Sequence, residues 1–128
     1  MDSFPHSIVH YLPVTDHDER WGIVCTTAGY QNVPPGSPYP LTQHPDSYSF
    51  TRQRGRVLDE YQLLYIVSGQ GEFRSASCPA THVKAGTVVM LFPEEWHSYA
   101  PDPETGWEEW WVGFRGENID RRVTAGFF

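Results

Sequence analysis

Tyr61–Phe73, YQLLYIVSGQGEF, is the stretch whose reading decides the fold. Tyr61 to Val67 is β-branched and aromatic, the composition that suits a pleated, half-buried surface. Ser68-Gly69-Gln70-Gly71 then predicts a glycine turn, and Glu72 to Ser75 a returning strand, which together make a hairpin. Downstream, the same rhythm continues. His82 to Lys84 reads as a short strand and Ala85-Gly86 as a turn into Thr87 to Phe92 (TVVMLF). Pro93-Glu94-Glu95 turns the chain again into His97 to Ala100, and Asp102 to Gly106 is a loop. Trp107 to Arg115 (WEEWWVGFR) is the last strand. Upstream, Trp21 to Ala28 (WGIVCTTA) and Tyr48 to Arg52 also carry strand signals. Short strands separated by regular turns predict an all-β antiparallel sandwich or barrel. TVVMLF is apolar on both faces, as expected of a strand between a filled interior and a covering layer.

The flanks are different in kind. Met1 to Arg20 is polar with a short apolar patch and reads as an N-terminal arm. Val33 to Pro45 holds five prolines (Pro34, Pro35, Pro38, Pro40 and Pro45). Proline has a fixed φ and no N–H for a ladder, so this is an extended loop. Tyr39 and Leu41 give it apolar anchors with which to pack. Gly116 ends the sheet, and Asn118 is a candidate cap for a helix through Ile119 to Val123. The chain therefore divides into an arm (1–20), a barrel (21–116) and the start of a helical segment (117–128). The apolar Gly-Phe-Phe ending reads as a cut.

Charge and composition narrow the function. The 128 residues carry 9 Lys/Arg against 16 Asp/Glu, a formal charge of −7. With no basic stripe to displace phosphate counterions, this segment is not expected to bind nucleic acid unaided. Acidity also removes any attraction to anionic membranes. The N-terminus lacks a basic start and a long apolar run, so it is not a secretory signal, and the cytoplasm is the expected location. Cys25 and Cys78 lie outside any CxxC pair and are expected as reduced, mostly buried thiols.

Few constellations carry chemistry. There is no GxSxG elbow and no Cys–His signature, and Gly69-Gln70-Gly71 is a turn, not a nucleotide fingerprint. Glu94-Glu95 and Glu108-Glu109 are adjacent pairs, whose members point to opposite faces of a strand and form no dyad. The last strand is more informative. One face carries Trp107, Glu109, Trp111, Gly113 and Arg115, with Gly113 expected to leave room on it. An indole beside a carboxylate suits a polyol, with C–H groups stacked on the ring and hydroxyls on the carboxylate. The alternative is that Trp111 is simply core and Glu109 a rim charge. Gly86, Phe92, Glu94 and His97 resemble the later metal-binding element of cupin barrels. The His-x-His that should precede it is absent from Tyr61 to Val67. A first-row metal needs about three convergent ligands, so neither a metal nor a cofactor is expected, and His97 reads as a hydrogen-bonded wall residue.

Three segments in order, YQLLYIVSGQGEF, KAGTVVMLFPEEWHSYAPD and WEEWWVGFRG, resemble the N-terminal sensor domain of AraC-type bacterial transcription regulators. The resemblance spans about residues 48–118 and, more loosely, Val24 to Pro45. It implies a cupin-like, jelly-roll barrel that binds an effector, often a sugar. It also implies a helical dimerisation element after the barrel and a C-terminal helix-turn-helix half that binds DNA and is missing here. In the arabinose-binding member an arginine seven residues before the opening tyrosine of the main strand contacts the sugar, and Arg54 stands at that offset from Tyr61. A tyrosine two residues after the histidine lines that pocket, and Tyr99 follows His97. A histidine and a tryptophan two apart on the last strand correspond to Glu109 and Trp111. That replacement leaves the ligand's identity open. Gln62 is a further polar candidate. The expected binding set is thus Arg54, Gln62, Tyr99, Glu109 and Trp111, with a small effector as partner and a homodimer as the assembly. The rivals are a free-standing cupin isomerase or dioxygenase with a metal site, and a purely structural dimerisation module with a filled barrel.

Overall fold

The computed structural model describes residues 7–39 and 54–128. Its elements are β1 (Ser7–Tyr11), α1 (Asp16–Trp21), β2 (Val24–Val33), β3 (Tyr61–Ser75), β4 (Thr81–Lys84), β5 (Val88–Leu91), β6 (His97–Pro101), β7 (Trp107–Arg115) and α2 (Glu117–Thr124). All strand pairings are antiparallel. They run in the order β1-β2-β7-β3-β4, with β5 and β6 also paired to β3. The described strands form a cupin-type sheet around a core, without closing into a continuous ring.

β3 overturns the expected hairpin. Tyr61 to Ser75 is one continuous strand. A register shift between Ile66 and Ser68, together with Gly69 at φ 83°, bends it instead of reversing it. Its first half pairs with β7 and β5, and its second half with β4 and β6. The β4–β5 turn docks on the bend, where the Ala85 N–H donates to Gly69 O at 3.1 Å and the Gly86 N–H to Ile66 O at 2.8 Å. A Cβ at position 69 would collide with the Gly106 carbonyl. Glycine is required here for a bulge, a common device for carrying one strand between two sheets.

The arm is partly structural. Ser7 to Tyr11 pairs with Gln31 to Thr27 as an edge strand. The predicted strand at Trp21 begins later, because residues 16–21 are helical. The Thr15 hydroxyl accepts from the Asp18 N–H at 3.2 Å, and the Thr15 N–H donates to the Asp18 carboxylate at 2.9 Å. This capping box starts the turn, and Gly22 at φ 93° ends it. Of the proline-rich loop, residues 34–39 are described. The expected strand at Tyr48 to Arg52 lies outside the described residues.

The core gathers Val33, Leu64, Ile66, Val89, Leu91 and Trp107. Against the outer side, α2 buries Ile119, and the Tyr61 hydroxyl donates to Asp120 at 2.8 Å. Asn118 does not cap this helix. Gly116 is the N-cap, with no side-chain bond. The Asn118 N–H donates to Gly22 O at 3.0 Å, and its side-chain oxygen accepts from Arg122 at 2.8 Å. Both cysteines are free thiols, but Cys25 is exposed and Cys78 half-buried, so neither is the core residue expected.

Candidate functional site

Strand register decides which side chains meet. On β7, Trp107, Glu109, Trp111 and Gly113 share the inner face, as the alternation predicts. Glu109 stands opposite Gln31 of β2 and Ile66 of β3. Trp111 stands opposite Gly29 and Leu64, and Gly113 opposite Thr27 and Gln62. The Trp111 ring crosses Gly29 so closely that a Cβ there would overlap it. Trp111 is half-buried and packs against the core cluster. Gly113 leaves no open room. The space over it is taken by the carboxylate of Glu60, which is buried and accepts from the Thr26 hydroxyl at 2.8 Å.

The guanidinium of the site belongs to Arg56. Arg54 is exposed, and its carbonyl accepts from the Trp96 indole at 2.9 Å. Arg56 is pinned to β6 by a backbone bridge. Its N–H donates to His97 O at 2.9 Å, and the His97 N–H donates back at 3.0 Å. Its side chain then reaches inward. Nε donates to His97 Nε2 at 2.9 Å, and Nη2 donates to the Tyr99 hydroxyl at 2.8 Å and to Gln62 Oε1 at 3.4 Å. The guanidinium carbon lies 5.5 Å from the Tyr99 ring centre. Gln62 and Tyr99 are therefore brought together with an arginine, as the sequence suggests, but with a different arginine. His97 is the hydrogen-bonded wall residue expected of it. It accepts at Nε2, so its proton sits on Nδ1. Burial, aided by the Arg56 charge, lowers its pKa to about 3.

Glu109 forms the second pole. It is only 2% exposed. Both carboxylate oxygens accept from the Tyr39 hydroxyl, at 3.0 Å each. Burial raises the Glu109 pKa to about 7, against the opposing pull of the Tyr39 hydroxyl, the Trp107 indole and the Arg56 charge. Burial likewise pushes Tyr99 up to about 12 and Tyr39 well above its ordinary value. Beside these groups, the Thr27 hydroxyl and the Gln31 side-chain oxygen Oε1 are buried without a hydrogen-bond partner among the described residues. Buried polar groups are normally satisfied, so this wall has acceptor capacity that the described residues do not use. Tyr11 of β1 lies at the edge of the cluster, where both Arg56 and Glu60 influence its hydroxyl.

Four members of the cluster escape the sequence reading as site residues: Arg56, Tyr39, Gln31 and Thr27. Tyr39 is visible there only as an apolar anchor. Arg56 is hidden because an offset counted from Tyr61 selects Arg54 instead. Among the described residues no group of three or more His, Cys, Asp or Glu side chains is arranged to hold a metal. No helix among them is long and apolar enough to cross a membrane.

An open cupin-type sheet surrounds the half-buried Arg56 and the buried Tyr99 and Glu109, a candidate small-molecule site on a β domain. The AraC-like ligand binding domain matches residues 35–124, and the chain belongs to that family. The raffinose operon transcriptional regulatory protein RafR of Pediococcus pentosaceus is 35% identical over 66 residues, 52% of this chain and 24% of RafR. The match thus spans about a quarter of that regulator's length. Among solved structures, a cupin protein from Bacteroides fragilis superposes with a TM-score of 0.56 at 11% identity, covering 90% of this chain and 80% of that one. A predicted oxalate decarboxylase from Thermotoga maritima gives 0.50 at 19% identity, covering 86% and 80%. At these identities the structures show the cupin fold alone. The chain is a ligand-binding domain of the AraC type.

Proposed function

We propose that the domain binds a neutral, hydroxyl-rich effector, a sugar or other polyol, between the Arg56 and Glu109 poles. Binding then controls a helix-turn-helix DNA-binding half belonging to a longer cytoplasmic regulator. The supporting observation is the buried cluster itself. Arg56, Gln62 and Tyr99 offer donors and acceptors at one side, Glu109 with the Gln31 side-chain oxygen and Thr27 hydroxyl, unpartnered among the described residues, at the other, and Trp111 is an apolar wall. A polyol presents donors and acceptors around an apolar C–H face, so it satisfies such a mixed lining where a purely apolar ligand leaves it unpaired. Arg54, exposed as it is, falls outside the proposed contact set. RafR is named for a raffinose operon, which makes raffinose the first probe.

The test is a thermal-shift screen of mono- and oligosaccharides. A ligand at 100 times its Kd stabilises the native state by about 2.7 kcal/mol. An active sugar therefore gives a clear, concentration-dependent rise in Tm. A panel with no stabilising member at millimolar concentration sinks the sugar reading. The enzyme rival requires a metal, and stoichiometric iron, manganese or zinc in purified protein would reverse the preference. The family's regulator character and the engagement of His97 Nε2 by the Arg56 cation both favour the sensor.

The reading includes a homodimer. It is supported by the outer face of the sheet, where Leu63, Tyr65, Val88 and Trp110 are exposed. Tyr65 stands opposite both Trp110 and Val88 across the strands. A second copy, meeting this face two-fold, is the occupant proposed.

A further inference from the structure

The proline-rich loop delivers a phenol into the cluster. Residues 34–39 are anchored by the Gly36 N–H donating to Pro103 O at 2.8 Å and by the Ser37 N–H donating to Pro34 O at 3.2 Å. From there Tyr39 reaches inward. Its ring is half-buried, and the hydroxyl is its deep end, bonded to both oxygens of Glu109. The ring stands edge-on to Trp107, centres 5.9 Å apart at 87°, and tilted against Tyr99 at 6.2 Å. The Trp107 indole and the Tyr99 phenol, their ring centres 6.2 Å apart, thus wall one side of a slot whose floor is a carboxylate. The residue filling it comes from a loop, not from a strand of the sheet.

We propose that Tyr39 is the resident occupant of the effector's own slot. A six-membered ring carrying a hydroxyl, as in a pyranose, displaces it and takes over its bonds to Glu109. The proposal rests on the reading of this interior as the effector site and sharpens it. One ring fits against the Trp107–Tyr99 pair over Glu109, so effector and Tyr39 compete. Only the fraction of molecules with Tyr39 withdrawn is competent to bind, which lowers the measured affinity by that fraction. Release of Tyr39 also frees the loop, so occupancy of the slot is coupled to the arrangement of a surface segment. The differential contact that such a switch needs is the exchange of one hydroxyl for another at Glu109.

The test uses 4-methylphenol, which is the tyrosine side chain without its backbone. Tyr39→Ala should empty the slot. Added 4-methylphenol should then raise the Tm of that variant in a concentration-dependent way, while toluene does so less and the unaltered chain responds little. No response of Tyr39→Ala to 4-methylphenol, or an equal response from the unaltered chain, overturns the proposal. Tyr39→Phe keeps the ring and removes only the hydroxyl, so it guards against a folding defect. A saccharide that stabilises the unaltered chain should bind Tyr39→Phe about tenfold tighter, the size of one lost charge-assisted bond of roughly 1.5 kcal/mol. Unchanged or weaker binding overturns the competition. The two readings fail separately. Rescue by 4-methylphenol without any active saccharide removes the sugar and keeps the slot. Saccharide stabilisation without rescue does the reverse.

Discussion

Arg56 and His97 are joined three times: by two reciprocal backbone hydrogen bonds and by Nε donating to His97 Nε2 at 2.9 Å. The backbone pair fixes where the arginine enters the interior, and the side-chain bond fixes how it points. The imidazole accepts the guanidinium proton and so must be neutral. Replacing Arg56 by Ala removes the donor common to His97, Tyr99 and Gln62. A hydrogen bond to a charged group is worth about 1.5–3 kcal/mol, and Arg56→Ala should destabilise the domain by an amount in that range. Arg56→Lys should recover only part of it, because an ammonium lacks the planar fork that spans three acceptors. Denaturant melts of the two variants beside the parent measure both effects. A lysine variant as stable as the parent contradicts the fork geometry.

Glu109 and His97 give the pH dependence opposite signs. The Glu109 pKa is about 7 in the folded chain, above its ordinary 4.5. Between those values the folded state holds more protons than the unfolded, so this group's contribution falls as pH rises. The His97 pKa is about 3, below its ordinary 6.5. Between those values the unfolded state holds more protons, so its contribution rises with pH. The two slopes oppose one another from about pH 4.5 to 6.5. Glu109→Gln deletes the falling one. Stability of that variant relative to the parent should therefore climb as pH rises from 4.5 to 7, by about 3 kcal/mol in total at about 1.4 kcal/mol per pKa unit. Urea melts at half-unit intervals of pH measure it. A pH-independent difference between the two chains shows that Glu109 does not titrate in that window.

How much of this was legible in the sequence depends on the kind of signal. β4, β6 and β7 are read nearly to the residue, because turn residues bracket each of them. β3 is misread as a hairpin because Ser68-Gly69-Gln70-Gly71 has the composition of a turn. Only the pairing partners, β7 on one side and β4 with β6 on the other, show that the chain bends there and runs on. The inward set of β7 follows from alternation, so Glu109 and Trp111 are legible as neighbours. Tyr39 and Arg56 are not, because they arrive from a loop and an isolated bridge, where no period applies. Gly113 looks like empty space in one strand and proves to be the seat of the Glu60 carboxylate, carried by a different segment.

Trp111 and Gly29 should behave as a pair. The indole lies where a Cβ on residue 29 would be. Gly29→Ala therefore forces the ring aside, an overpacking cost of about 1–3 kcal/mol, and should weaken any saccharide response. Trp111→Ala should abolish that response while the domain remains folded, since the ring is half-buried rather than central to the core. The double variant should be more stable than the sum of the two single changes predicts, because the clash vanishes with the indole. A double-mutant cycle read from melting curves checks this, and simple additivity refutes the contact.

The outer sheet face makes the last prediction. Tyr65, Trp110 and Val88 form one row across β3, β7 and β5, with Leu63 beside it. The carboxylate on this side of β7, Glu108, takes the Tyr30 hydroxyl bond. A two-fold contact uses the same patch on both copies, so one added charge is counted twice. Tyr65→Glu should therefore convert a dimer to a monomer without unfolding it, because residue 65 is already exposed and its strand is held by β5 and β7. Sedimentation velocity of parent and variant over a hundredfold range of concentration decides the matter. A parent that stays monomeric throughout, or a variant that still dimerises, removes this face as the interface.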